Sequence, residues 1–88
     1  MSMPKLPVIK IKELIRVLNK LGFFEHHRVG SHAQFKHPDG RRTTIPVHHG
    51  KDIKSGTLKS ILDDIDIDTK EFILILKKGK IISQEKLF

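Results

Sequence analysis

His32 is the residue of this chain most suited to chemistry. It follows Gly30 and Ser31, and a glycine there permits a tight turn and close approach of the backbone. An imidazole of ordinary pKa, about 6.5, takes and returns a proton near neutral pH. Around it in sequence stand cations suited to holding phosphate: Lys36, Arg42, Lys51, Lys54 and Lys59. A proton-taking group beside such cations suits RNA. Removing the proton of a 2′-hydroxyl lets that oxygen attack the adjacent phosphorus, leaving a cyclic phosphate and a free 5′-hydroxyl. The plainer reading of the same histidine is a residue that fills a sheet face or donates one hydrogen bond.

The other histidines invite a metal, and their spacing argues against one. His26-His27 and His48-His49 are adjacent pairs, and neighbours in extended chain point to opposite sides, so a pair does not chelate together. There is no cysteine and no His-Glu-x-x-His spacing, so no metal site and no cofactor are expected.

Seventeen Lys and Arg against ten Asp and Glu give a net charge of +7. A field of that sign attracts phosphate backbones or an acidic protein. Tyr and Trp are absent and Phe numbers five, which leaves few aromatic platforms for base stacking and makes the expected affinity mainly electrostatic. Without cysteine, disulfides play no part. No apolar run reaches the roughly 20 residues of a membrane span, and no signal-peptide pattern opens the chain. A cytoplasmic protein without membrane contact is the expectation.

The site needs elements to hold it, and 88 residues suit a single domain spanning 1–88. Residues 1–9 carry two prolines and no period, so they read as an extended arm. Ile11, Leu14, Ile15, Leu18 and Leu21 fall at helical spacing and predict a first helix ending at Gly22. No good N-cap precedes Ile11, so that helix should fray at its start. Residues 23–29 and 32–37 read as strands separated by Gly30-Ser31. Pro38-Asp39-Gly40 is a turn. Residues 41–47 form a third strand, with Pro46 marking a sheet edge or strand end.

After a loop bearing His48, His49, Gly50 and Lys51, a second helix starts near Ser55 with Leu58, Ile61, Leu62 and Ile65 on its apolar side. Lys51, Lys54 and Lys59 bracket its entrance, whose free N–H groups favour an anion. Asp68 to Glu71 reads as a capping box opening a third helix that stops at Gly79. Phe72 to Leu76 is apolar on more sides than one small domain covers, which predicts a competing strand or a contact with another chain. Residues 10–78 thus make the core, and 79–88 a tail of unknown role.

The period of two sorts the strands. Ala33, Phe35 and His37 share one side with Thr43, Ile45 and Val47; His32, Gln34, Lys36, Arg42 and Thr44 share the other. The second set is a basic polar surface, and the helices should cover the first. The order α-β-β-β-α-α gives an α+β fold: a three-stranded antiparallel sheet with helices on one face, like the double-stranded-RNA-binding domain.

Three stretches, KIKELIRVLNKLGF, GSHAQFKHPDGRRTTIPVH and IKSGTLKSIL, closely resemble the HicA family of toxin ribonucleases over roughly residues 4–78. The resemblance implies a small dsRBD-like mRNA interferase that cuts without the ribosome and is neutralised by a HicB antitoxin covering its active site. It also implies that the catalytic histidine of the family's Gly-Ser-His motif is His32, with Gly30 and Ser31 positioning it. Many relatives carry a second histidine next, where this chain has Ala33. The general acid therefore stays open among His48, His49, Lys54 and water. The pattern Lys-x-Gly-Thr-Leu is kept at residues 54–58, with Ser55 where relatives often have proline.

The expected function is a metal-independent endoribonuclease with His32 as general base, and Lys36, Arg42, Lys51, Lys54 and Lys59 holding RNA. Two alternatives stand beside it: a non-catalytic RNA-binding module, and a small adaptor whose main contact is another protein.

Overall fold

Ile11, Leu14, Val17 and Leu18 recur at three- and four-residue spacing, and they form the buried side of α1 (Ile11–Lys20). The computed structural model describes residues 5–48 and 50–85, with side chains described through residue 78. In order the elements are α1, β1 (Phe24–Val29), β2 (His32–Lys36), β3 (Arg42–Pro46), α2 (Ser55–Asp64) and α3 (Thr69–Glu85). This is the α-β-β-β-α-α order expected.

The start of α1, expected to lack a cap, is held by contacts from elsewhere in the chain. Glu13 Oε1 accepts the Lys10 N–H at 3.3 Å, and the Ile53 N–H donates to Ile9 O at 2.9 Å. Lys10 Nζ reaches Asp52 Oδ1 at 2.9 Å and Gly50 O at 3.2 Å. A distant loop thus supplies what the missing cap residue does not. Ile9 is buried and Leu6 packs against the core, so the end of the expected arm is part of the domain.

The far end of α1 is a glycine-terminated turn. Gly22 has φ +98°, its N–H donates to Asn19 O at 3.1 Å, and the Phe23 N–H donates to Leu18 O at 2.9 Å. His37 closes over this turn. Its Nδ1 accepts the Asp39 N–H at 3.0 Å, so Nε2 carries the hydrogen and donates to Leu21 O at 3.1 Å. A Cβ on Gly22 would meet His37 Nε2 at 2.9 Å. Gly22→Ala combines this clash with left-handed strain and is expected to cost about 1–3 kcal/mol, measured by urea unfolding.

The turn after β2 carries an acid tied by its neighbour. Asp39 Oδ1 accepts the Arg41 N–H at 3.0 Å and Oδ2 accepts Arg41 Nε at 2.8 Å. The backbone N–H and then the guanidinium hold this carboxyl below its ordinary value. A depressed folded value stabilises the protein above the unfolded pKa and is lost as pH falls through the folded one. Asp39→Asn should therefore flatten the acid side of a stability-versus-pH curve and leave its neutral side unsloped.

The sheet has order β1-β2-β3 and both pairs are antiparallel. Ala33, Phe35, Thr43 and Ile45 are buried while His32, Gln34, Lys36, Arg42 and Thr44 are exposed, so the faces divide as the alternation predicts. Helices cover only the first face, with α2 against β3 and α1 against α3. Strand limits differ from expectation by one residue: Phe23 precedes β1 and is core, and His37, Arg41 and Val47 flank β2 and β3. Pro46 ends the edge strand β3. β1 overhangs the helices and is exposed along its length, and a bulge shifts its register between Glu25 and His27.

α2 buries Leu58, Ile61 and Leu62, and Thr43 Oγ1 donates to Asp64 Oδ2 at 2.8 Å, tying its end to β3. Asp68 Oδ1 accepts the Glu71 N–H at 2.7 Å and opens α3. α3 does not stop at Gly79 but continues to Glu85. Glycine inside a helix costs only about 1 kcal/mol, so it permits a stop without imposing one. The expected tail is thus helical over 79–85, and 86–88 lie outside the described residues. The apolar run is helical too: Phe72 and Leu76 are core, Ile73 and Ile75 half-buried, Leu74 exposed.

Candidate active site

The outer face of the sheet consists of three cross-strand rows. Val29, His32 and Pro46 form the first; His27, Gln34 and Thr44 the second; Phe24, Lys36 and Arg42 the third. Neighbours within a row have Cα atoms about 4.5–5.5 Å apart. The three rows hold no carboxylate. Glu25, the single acid of β1, is bound by Arg28 at 2.7 and 3.1 Å. Arg28 holds its carboxyl below the ordinary range. The rows therefore carry only positive charge, and Asp64 is the acid that reaches the cleft beside Lys36 and Arg42.

His32 is the first residue of the central strand and is exposed. The turn before it needs Gly30, whose φ is +58° with nothing near the position of a Cβ. Ser31 is half-buried, and its carbonyl accepts the Val47 N–H at 2.6 Å. That bond carries the β2–β3 register one residue past β3. His48 follows in the loop beyond that bond.

His48 is exposed and lines a hollow of about 330 Å³ with Pro46, Lys51, Asp52, Lys54 and Thr57, Asp52 being paired with Lys10. Pro46 is also the cross-strand neighbour of His32, so this hollow adjoins the histidine. Lys54 is the N-cap of α2, and its carbonyl accepts the Leu58 N–H at 2.9 Å. The helix dipole thus adds to the two lysines. Lys36 and Arg42 stand at the other end of β2 and β3. Their row is about 13 Å from His32 along the strand.

Lys59 has different company. Its ammonium is 2.5 Å from Asp63 Oδ1, and it lines a separate hollow with Asp63, Asp66, Asp68 and Glu71. His49 lies outside the described residues. Among the described residues no three His, Asp or Glu side chains are grouped as ligands of a metal ion.

Two outer-face residues, Phe24 and His27, did not emerge from the sequence as members of the basic surface. Phe24 and His27 are an odd number of residues apart, yet both share rows with outward residues of β2. The bulge between them is the reason, and the broken alternation of residues 23–29 is its trace in the sequence.

No helix of the described residues is long and apolar enough to cross a membrane. No curated protein matches the chain. A family model described as the HicA toxin of bacterial toxin-antitoxin matches residues 11–67, from the first residue of α1 to the last before the cap of α3. With that match covering more than half of its length, the chain belongs to the HicA toxin family and is a toxin with an antitoxin for its partner.

Proposed function

We propose that this toxin is an endoribonuclease that cuts mRNA in the cytoplasm without a metal ion. His32 is the general base and takes the 2′-hydroxyl proton of the nucleotide at the cut. The 2′-oxygen then forms a bond to the adjacent phosphorus as the bond from phosphorus to the 5′-oxygen breaks. The leaving oxygen takes a proton from an acid, for which His48 is the favoured candidate because it lines the hollow that also touches Pro46, the cross-strand neighbour of His32. His49, Lys54 and water are the other candidates. Gly30 and Ser31 position the base, and Lys36, Arg42, Lys51 and Lys54 hold backbone phosphates. Lys59 belongs to this set only if RNA displaces Asp63 from it.

The observation that carries this reading is the position of His32. It stands at the head of the central strand, in cross-strand rows without carboxylates, with Lys36 and Arg42 at the far end of the face and Lys51 and Lys54 in the hollow that touches Pro46. The partner is a HicB-like antitoxin, and an acidic one would match the +7 charge of the toxin.

The nature of the cut ends tests the mechanism. Wild type with unstructured RNA in EDTA should give 2′,3′-cyclic phosphate and 5′-hydroxyl ends. Loss of cleavage in EDTA, or 5′-phosphate ends, would contradict it.

A further inference from the structure

Phe24 is a large apolar side chain left 48% exposed on the positive face of the sheet. Core packing does not account for it, since its neighbour Phe23 fills the core place at 2% exposure. It shares a row with Lys36 and Arg42. Those two cations line a cleft of about 390 Å³ with His26, Gln34, Thr44 and Asp64, whose Oδ2 accepts the Thr43 hydroxyl at 2.8 Å. An aromatic ring, two flanking cations and a cleft of hydrogen-bonding groups are what a nucleotide of single-stranded nucleic acid requires. The ring stacks on a base, the cations meet phosphates, and the polar groups meet base edges.

We infer that Phe24, Lys36 and Arg42 form a nucleotide subsite for single-stranded RNA, remote from the cut, in which a base stacks on Phe24. The choice of RNA as occupant rests on the nuclease reading above, and the subsite deepens it. The row of Phe24 is about 13 Å from His32 along β2, a distance that one nucleotide does not bridge. The stacked base therefore belongs to a nucleotide beyond the one attacked, and the toxin needs single-stranded RNA extending past the cut. The bulge in β1 makes this possible by returning Phe24 to the outer face.

The test is a binding titration in the His32→Ala background, so that no cleavage intervenes. The probe is a short, fluorescein-labelled, unstructured RNA. Adding Phe24→Ala should weaken binding roughly 5- to 150-fold, the span of one lost base–aromatic stack. Phe24→Tyr, which keeps the ring, should bind as the background does, and Leu74→Ala, an exposed apolar residue of α3, should have no effect. Unchanged binding by Phe24→Ala would overturn the inference. So would equal losses with alanine and tyrosine, or normal RNA binding with loss of antitoxin binding, which would make Phe24 a protein contact. A wild type that binds RNA through Phe24 but does not cut it would sink the nuclease reading and leave the subsite standing.

Discussion

Replacing His32 with alanine is expected to slow RNA cleavage about 10²–10⁴-fold, the usual contribution of a positioned general base. Binding should change little, because the cations that would hold the backbone lie on other residues of the face and the neighbouring hollow. Folding should survive, since the side chain is exposed and opposite it stand an exposed valine and a half-buried proline. The two effects separate under single-turnover conditions, where the rate constant reports chemistry and a titration reports affinity. A pH–rate profile sharpens the assignment. A base must be unprotonated to act, so wild-type cleavage falls on the acid side, and the residual activity of His32→Ala should lack that limb.

The largest expected loss of stability comes from Phe72→Ala. Phe72 is fully buried in α3, beyond the 11–67 stretch that the family model matches. Removing a buried phenylalanine costs about 3–5 kcal/mol, a large share of the roughly 5–15 kcal/mol that holds a domain together. Urea unfolding should show a lowered midpoint with an unchanged slope. Leu74→Ala, two residues on and 52% exposed, should shift stability by no more than about 0.5 kcal/mol. An equally small effect at Phe72 would mean that α3 is an appendage, although its contact with α1 and the burial of Leu76 make it a structural wall.

Local patterns exposed most of this fold. α1 and α2 follow from apolar spacing, the β2–β3 turn from Pro38-Asp39-Gly40, and the two faces of β2 and β3 from strict alternation. What escaped the sequence depends on contacts distant in the chain or on backbone irregularity. Lys10 anchors α1 through Asp52 and Gly50, a link that no window around Ile11 contains. Gly22 and Gly79 look alike as helix stops, but at Gly22 the chain turns with φ +98° and the Phe23 N–H closes on Leu18 O beneath His37, whereas α3 runs on through Gly79 to Glu85. Within the site, period two was enough to set His32, Lys36 and Arg42 on one surface. The bulge in β1 breaks that rule and hid Phe24 and His27. Lys59 is a different case: its bond to Asp63 is an ordinary i, i+4 helix pair, readable from spacing alone.

The most direct test of an RNA-cutting site centred on His32 is a paired assay of wild type and His32→Ala on one labelled, unstructured RNA in EDTA, with binding read alongside cleavage. Cleavage by wild type alone, with binding retained by the variant, is the predicted result. Equal cleavage by both proteins would contradict it and move the search for the base to His48 and His49.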